Sequence, residues 1–278
     1  MFDINTPNIY IVGFQKCASS TLFEVLLMHP DVSGTTPKET FFLVDDNYDH
    51  FDPDKNIINN DCSWDTYIRA NSQSVVESSV CNFYQQRALE SIESDKDSKV
   101  IFILRDPVER FISVYKYLIG KINGIPANTS LDDFFDQCNE GKFDRHILKY
   151  AIEHGKYHKY IELWKNALGS DRIHIIGMKP FLHKPDETLS SLFAFLSLPT
   201  CTIQSIPHKN KSKTYTYPFV HKKLVSVFGG SLFSNQLTKS IYSMLFMKPV
   251  DKSKLQFKSR ALLREIYEKE YNEYSCFF

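Results

Sequence analysis

The chain has 278 residues, and its 33 Lys and Arg balance its 33 Asp and Glu, so the formal net charge is zero. A hydrophobic fraction of 42% and a charged fraction of 24% are typical of a globular protein with a sizeable buried core. The absence of a basic excess excludes a general nucleic-acid binder, because such a protein needs surplus positive charge to meet phosphate groups.

Nothing in the sequence indicates insertion into a membrane. It contains no run of about 18 apolar residues, and the first residues, MFDINTPNIYIVG, lack the basic and apolar regions of a signal peptide. We therefore expect a cytoplasmic protein, or alternatively the catalytic domain of a Golgi-type enzyme without its membrane anchor. Six widely spaced cysteines without a CxxC pair argue against a zinc site or a disulfide framework and predict reduced, mostly buried thiols.

Short apolar strands alternate with helical segments along the chain. In chain order the pattern predicts a strand at Asn8–Val12, a helix at Thr21–Met28, a strand at Ser74–Glu77, a helix at Phe83–Glu93, a strand at Lys99–Leu104, helices at Val108–Leu118, Leu131–Cys138 and Ile147–Ala167, a strand at Arg172–Ile176, and helices at Glu187–Leu196 and Ser259–Tyr274. This alternation predicts one α/β domain over residues 1–278, with three layers in which helices flank a mostly parallel central sheet. Ligands of such sheets bind beyond the carboxyl ends of the strands, here in the loops after Val12 and Leu104.

Small and polar residues follow the first strand, in the sequence GFQKCASST from Gly13 to Thr21. In a strand–loop–helix segment, successive backbone N–H groups converge on an anion, and the helix N-terminus adds about half a positive charge. Lys16 adds a full charge, and Ser19 and Ser20 add hydroxyl donors, so the loop is predicted to cradle a phosphate. It is not a Walker A motif, because no hydroxyl residue directly follows the lysine. A polar turn with an N-capping serine is the alternative interpretation.

The strand at Lys99–Leu104 leads into Arg105 at the ligand-binding edge of the predicted sheet. Asp106 as N-cap and Pro107 as first residue then favour the start of a helix, with Ser113 about two turns along it. Arginine and serine can share one phosphate, the first through bidentate charge-assisted bonds and the second through its hydroxyl. A surface ion pair and a hydroxyl bonded to the preceding turn are the alternatives.

Two later segments also bear on binding. Three lysines alternate with small polar residues in HKNKSKTY, residues 208–215, which predicts a cationic loop able to close over a phosphate-bearing ligand. A solvated surface loop is the alternative. The stretch Leu224–Val250 is rich in apolar and aromatic residues and predicts a buried helix, with a surface for a lipid-linked acceptor as the alternative.

Together and in this order, these segments resemble the sulfotransferases that use 3′-phosphoadenosine 5′-phosphosulfate (PAPS). GFQKCASSTL looks like the 5′-phosphosulfate loop of that family, ILRDPVERFISVYKY like its 3′-phosphate motif, and HKNKSKTY like its late basic loop. KETFF, residues 38–42, is similar to the segment of the glycosaminoglycan and heparan-sulfate branch of carbohydrate sulfotransferases in which a Glu precedes two aromatics. The resemblance covers almost the whole chain and implies the P-loop NTPase-like sulfotransferase fold.

The resemblance also implies a role for each matching residue. The 5′-phosphosulfate would be held by Gln15, Lys16, Cys17, Ala18, Ser19, Ser20 and Thr21. The 3′-phosphate would be held by Arg105 and Ser113, and the nucleotide would be covered by Lys211, Ser212, Lys213 and Thr214. Glu39 would be the general base, and Lys16 would stabilise the leaving group. PAPS is then the co-substrate and adenosine 3′,5′-bisphosphate (PAP) the product, and no metal is needed. The resemblance favours a hydroxyl of a carbohydrate or glycolipid as the acceptor, with a lipid or small-molecule alcohol as the alternative.

The sequence departs from the family pattern in two places. Cys17 and Ala18 stand where Gly-Gly is common, which predicts a slightly different loop geometry. Ser78 stands where the glycosaminoglycan branch often has a lysine that assists catalysis, which would shift that role to Lys16. A histidine base, as in cytosolic-type enzymes, is the alternative to a glutamate, and His50 is the nearest downstream candidate.

The zero net charge conceals two opposed regions. Residues 31–65 contain nine acids and two lysines, whereas residues 188–250 contain seven lysines and no acid. Because the acidic region holds the expected base, we expect an acceptor that is neutral or weakly charged, since like charges repel a dense polyanion. Two other functions stay open: a P-loop kinase for a small molecule, and a non-catalytic nucleotide-binding protein.

Overall fold

The computed structural model describes residues 6–68, 72–119, 124–126, 128–203, 205–207, 213–215, 247–249 and 255–278. Its strands are β1 (Ile9–Gly13), β2 (Val32–Gly34), β3 (Ser74–Glu77), β4 (Lys99–Leu104), β5 (Ile173–Gly177), β6 (Lys213–Tyr215) and β7 (Met247–Pro249). Its helices are α1 (Ser19–Leu26), α2 (Gln86–Ser94), α3 (Pro107–Leu118), α4 (Leu131–Asn139), α5 (His146–Lys149), α6 (Tyr157–Leu168), α7 (Met178–His183), α8 (Pro185–Leu196), α9 (Arg260–Ile266) and α10 (Glu268–Tyr274).

The chain divides into two compact units. The first consists of Met1–Arg110, Glu153–Lys209 and Tyr267–Phe278, and the second of Phe111–Ile152 and Asn210–Ile266.

The first unit is built on a five-stranded sheet in the order β2-β3-β1-β4-β5, in which every neighbouring pair is parallel. The central strand β1 is buried along its whole length, and so is β4 after its first residue. Such continuous apolar strands are expected where helices cover both faces of a parallel sheet. Helix α1 packs against β1, β2 and β3, and α6 and α8 pack against β5. The predicted α/β class with a parallel central sheet and flanking helices is confirmed.

The second unit is held together by aromatic rings. Phe111 stacks on Phe134 with their ring centroids 5.1 Å apart, and Phe257 lies 6.1 Å from Phe111. The Asp132 carboxylate accepts the backbone N–H of Ser259 at 2.9 Å, which ties α4 to the segment before α9. Strands β6 and β7 pair antiparallel within this unit.

The single helix predicted at Ile147–Ala167 is wrong. The structure has α5, a 3₁₀ turn at Glu153–Gly155 and then α6. Gly155 is buried directly against Tyr267, and a β-carbon at this position would overlap the phenol ring. The helical pattern is therefore interrupted where the backbone approaches another part of the chain.

The helix predicted at Ser259–Tyr274 is also divided, into α9 and α10. The break falls at Tyr267, which has φ −102° and ψ 19° and a fully buried side chain. The same ring thus meets Gly155 and separates the last two helices, so both errors have one tertiary cause.

The helix predicted at Phe83–Glu93 begins later than expected. Residues Asn82–Tyr84 form a 3₁₀ turn, and α2 starts at Gln86, whose backbone N–H donates to the Asp45 carboxylate at 2.9 Å. An acid from a distant loop therefore caps this helix and stabilises its positive end. Strand β2 and helix α7 were not predicted from the sequence. The stretch at 224–250 lies outside the described residues apart from β7.

Candidate active site

Three segments with predicted roles lie at the carboxyl edge of the parallel sheet. The loop 14–18 follows β1, Arg105 follows β4, and residues 78 and 79 follow β3. Strands β3, β1 and β4 are consecutive neighbours, and neighbouring strands lie about 4.8 Å apart. The edge therefore brings the loop of Lys16 close to Arg105, and the segment after β3 is hydrogen-bonded to the loop of Glu39 through Lys38 and Phe41.

The loop after β1 has the backbone geometry of an anion-binding nest. Lys16 and Ala18 both have φ 68°, in the left-handed region, whereas Cys17 between them does not. Alternation of this kind points successive N–H groups into one concavity, where they attract an anion. A residue other than Gly in this conformation costs about 1–2 kcal/mol. Ala18 is also the N-cap of α1, so the positive end of the helix adds to the nest.

One aromatic residue within this loop of small and polar residues, Phe14, anchors the loop to the core. Phe14 is fully buried, with its ring centroid 4.5 Å from that of Phe83 and 4.4 Å from that of Tyr157. Its backbone N–H donates to the Ile103 carbonyl at 3.1 Å. The nest is therefore fixed against both β4 and α6.

Three cations surround the nest. Arg105 Nη1 donates to the carbonyl oxygen of Lys16 at 3.5 Å. Burial raises the pKa of the Cys17 thiol to about 11, although the positive charges of Arg110, Arg105 and Lys16 act in the opposite direction. Since all three charges reach one buried thiol in the loop, the site is electropositive and suits an anionic ligand.

Arg110 and Tyr157 were missed by the sequence analysis. Arg110 is 1% exposed and shares a side-chain hydrogen bond with Tyr267. The Tyr157 hydroxyl donates to the Arg105 carbonyl at 2.7 Å and lies 4.0 Å from Cys17 Sγ, so it joins the loops after β1 and β4. For Arg110, the signal in the sequence that could have indicated its burial was a basic residue within the apolar pattern of α3.

The expected base, Glu39, is paired with its neighbour. Lys38 Nζ lies 3.1 Å from Glu39 Oε1 and also donates to the Ser78 carbonyl at 3.1 Å. The Glu39 side chain is 39% exposed, so its carboxylate can meet an acceptor. The cation next to the carboxylate therefore comes from Lys38, which the sequence analysis did not single out.

A buried carboxylate fixes the segment that follows Glu39. Glu77 is 1% exposed, and its Oε1 accepts the Thr40 hydroxyl at 3.1 Å and the Ser79 backbone N–H at 2.9 Å. Burial raises the pKa of Glu77, and the hydrogen bonds from Ser79 and Thr40 oppose that shift. Because Ser79 in turn accepts the Phe41 N–H at 3.0 Å, the end of β3 holds the whole loop that carries the base.

The other predicted residues of the phosphosulfate loop lie beside the nest. Ser19, Ser20 and Thr21 form the first turn of α1. The carboxamide oxygen of Gln15 is buried and accepts no hydrogen bond within the described part of the chain. A buried polar atom in this state is expected where the missing partner is a bound group.

The remaining candidates for donor binding belong to the second unit. Ser113 is a buried residue of α3 in the second unit. Lys211 and Ser212 lie outside the described residues, and Lys213 and Thr214 are known only as part of the β6 backbone. His50 stacks on Phe41, with ring centroids 4.9 Å apart.

Two further properties concern the whole described chain. Among the residues that the structure describes, no group of three or more His, Cys, Asp or Glu is arranged to hold a metal ion. None of the described helices combines the length and apolar character needed to cross a bilayer.

The five-stranded parallel sheet carries a nest of N–H groups after β1, an α/β arrangement suited to holding an anion at the carboxyl edge of the sheet. Residues 6–273 match the sulfotransferase domain family, and the chain belongs to that family. The resemblance seen in the sequence is therefore confirmed.

A curated relative agrees with this assignment. The chain is 28% identical over 213 residues to human heparan sulfate glucosamine 3-O-sulfotransferase 3B1, a match that covers 75% of this chain and 50% of the relative. It thus spans about half the length of the curated relative.

Solved structures agree on the fold. A sulfotransferase from Alicyclobacillus acidocaldarius superposes with a TM-score of 0.61 at 21% identity, covering 80% of this chain and 91% of the other. Mouse sulfotransferase SULT7A1 complexed with PAP gives a TM-score of 0.51 at 12% identity, with coverages of 97% and 85%.

Proposed function

We propose that this protein transfers a sulfuryl group from PAPS to a hydroxyl group of a carbohydrate acceptor and releases PAP. The observation that supports this most strongly is the N–H nest at Lys16–Ala18, which is surrounded by cations and lies at the same sheet edge as the loop of Glu39. In this proposal the two compact units act together as one sulfotransferase domain over residues 1–278.

The residues at the nest fit an anionic donor. When bound, PAPS supplies a sulfuryl group attached to a phosphate leaving group. The nest N–H groups and Lys16 would bind the 5′-phosphosulfate and neutralise the charge that develops on the bridging oxygen. Arg105 and Ser113 would hold the 3′-phosphate, and residues 211–214 would cover the nucleotide. Protein cations supply the neutralising charge in this scheme, so no metal is needed.

Glu39 would act as the general base. In group transfer of this type the transition state is loose, so positioning and charge stabilisation dominate. The carboxylate would accept the hydroxyl proton as the new S–O bond forms. Lys38 pairs with Oε1 of this carboxylate. Glu77 accepts a hydrogen bond from the Thr40 hydroxyl and Ser79 accepts one from the Phe41 N–H, which fixes the loop around the base.

We propose a carbohydrate acceptor that is neutral or weakly charged. The curated relative is a heparan sulfate enzyme, but residues 31–65, which include Glu39, contain nine acids against two lysines. Asp45 is used to cap α2 and Asp46 pairs with Arg87, whereas Asp49 and Asp61 are exposed. Exposed carboxylates would repel a dense polyanion. Efficient sulfation of heparan sulfate at a rate insensitive to salt would contradict this part of the proposal.

The proposed function is tested by Glu39→Gln. The change removes the base but keeps the shape, so turnover should fall by about 10² or more, while calorimetry with PAP should show nearly unchanged affinity. Turnover is measured as transfer of radiolabelled sulfate from PAPS to neutral oligosaccharides. Glu187→Gln, at a side chain 78% exposed on α8, is the control. Near-normal turnover of Glu39→Gln would rule out the assignment of the base.

A further inference from the structure

Two adjacent phenylalanines next to the proposed base have opposite environments. Phe42 is 1% exposed and packs on Trp64 with ring centroids 4.4 Å apart, so it belongs to the core. Phe41 is only partly buried and has φ 54°. The core therefore accounts for Phe42 and does not account for Phe41.

The backbone at Phe41 is strained, and the fold maintains the strain. A bulky residue rarely adopts a positive φ, and residues held in this region collect at functional sites. The Phe41 N–H donates to Ser79 Oγ at 3.0 Å, and Ser79 is itself bonded to the buried Glu77. A hydrogen-bonded network thus holds an aromatic side chain at the surface two residues after Glu39.

The Phe41 ring is part of a larger aromatic surface. His50 stacks on it at 4.9 Å with an interplanar angle of 21°, and the Tyr48 ring lies 6.1 Å away. Tyr48 and Tyr84 lie 6.0 Å apart and share a side-chain hydrogen bond. The Tyr84 ring stacks on the buried His154 with ring centroids 4.6 Å apart, so it supports Tyr48 from the core side.

We call Phe41, Tyr48 and His50 the aromatic platform. The charge of Glu39 acts on Tyr48, which places the platform within electrostatic reach of the proposed base.

The chemistry of the platform selects the class of ligand. Aromatic faces carry partial negative charge and attract the weakly positive C–H groups on one face of a saturated ring. Ligand sites combine such aromatic faces with a few polar groups that fix the orientation of the ligand. Exposed carboxylates such as Asp49 disfavour anionic substituents nearby. A neutral sugar ring has both an apolar face, which can stack on the platform, and hydroxyl groups around the edge of that face.

We propose that the aromatic platform is the acceptor subsite, where a neutral sugar ring stacks on Phe41 and directs one hydroxyl toward Glu39. This inference rests on the proposed sulfotransferase function and adds the residues that determine the specificity for the acceptor.

The test compares the wild-type chain with Phe41→Gly, because glycine adopts the observed φ freely and the fold should be retained. Phe195→Ala is the matched control, since Phe195 stacks on His174 at 4.9 Å and 20° on another part of the first unit. Acceptor KM, kcat, PAP affinity and Tm are measured with cellotetraose as the neutral saccharide. Cyclohexylmethanol serves as a ring alcohol that is not a sugar.

For Phe41→Gly we expect the KM for cellotetraose to rise about tenfold, with kcat and PAP affinity changed less than about twofold and Tm not lowered. Phe195→Ala should leave this KM unchanged. An unchanged KM in Phe41→Gly, or an equal rise in the control, overturns the inference. Sulfation of cyclohexylmethanol alone, with its KM raised in Phe41→Gly, overturns the assignment to a sugar.

Failure of the proposed function gives a different result. If the wild-type chain neither binds PAP nor sulfates any acceptor, the proposed function falls, and this inference falls with it. If PAP binds but no acceptor is sulfated, saturation-transfer NMR of cellotetraose with the PAP-bound chain tests directly whether the platform binds the sugar. A signal lost specifically in Phe41→Gly supports the subsite, and no wild-type signal overturns it.

Discussion

Among single residues, Arg105 is expected to contribute most directly to donor affinity. Its side chain is 25% exposed and lies over the nest, with Glu109 Oε2 at 3.8 Å, a long separation for an ion pair. Arg105→Ala should therefore weaken PAP binding by about 1.5–3 kcal/mol, the value of hydrogen bonds to charged groups. Calorimetry with PAP measures the change.

The control for this prediction is Lys184→Ala, which removes a cation from the same unit at a side chain 70% exposed. If loss of overall positive charge governed affinity, both variants would bind PAP more weakly. An affinity for Arg105→Ala equal to that of the wild type would show that this residue does not hold the 3′-phosphate.

At the scale of secondary-structure elements, Gly155 sets the break between α5 and α6. Because a β-carbon would overlap the Tyr267 phenol, Gly155→Ala should lower the free energy of unfolding by about 2–3 kcal/mol, as overpacking does. Gly141→Ala is the comparison, since Gly141 has a φ of 67° with nothing within 4 Å of the added β-carbon, whereas Gly155 has no positive φ and is crowded by Tyr267. That variant should lose only about 1 kcal/mol.

Urea denaturation of the two variants measures the difference. A loss in Gly155→Ala no larger than that in Gly141→Ala would mean that the overlap with Tyr267 costs little, and that this contact does not cause the break.

Elements with local signals were predictable. The apolar run of β4 has the predicted bounds, and the Asp106 carboxylate accepts the Glu109 N–H at 2.9 Å as expected of an N-cap. By contrast, the breaks at Gly155 and Tyr267 arise from a contact between residues more than a hundred positions apart. Local periodicity cannot register such a contact, so both helices were drawn too long.

The same distinction applies to the candidate site. Lys16 and Arg105 follow apolar strands directly, so strand pattern and loop composition indicated them. Lys38 and Glu77 act through partners 40 and 37 residues away, respectively. Their importance depends on which strands are neighbours, and the order β2-β3-β1-β4-β5 is set by packing of the whole sheet.

At the scale of the whole molecule, binding of the donor product should stabilise the fold. A ligand that binds only the folded state adds about 2.7 kcal/mol at a hundred times its dissociation constant. PAP should therefore raise the Tm, whereas ATP with Mg²⁺ should leave it nearly unchanged, because the loop lacks the GK[ST] sequence of a Walker A motif.

Thermal melts with each nucleotide measure this selectivity. A larger shift with ATP and Mg²⁺ than with PAP would favour a P-loop kinase instead. A shift with PAP, combined with no sulfate transfer, would favour a non-catalytic nucleotide-binding protein.

The left-handed residues Lys16 and Ala18 also bear on the kinetics of donor capture. Both residues take the conformation that an N–H nest requires, and the buried Phe14 anchors their loop in the core. The loop therefore loses its conformational entropy when the protein folds, and donor binding requires little further rearrangement of the loop. Diffusion and charge would then limit the association rate constant, which should fall as added salt screens the three surrounding cations.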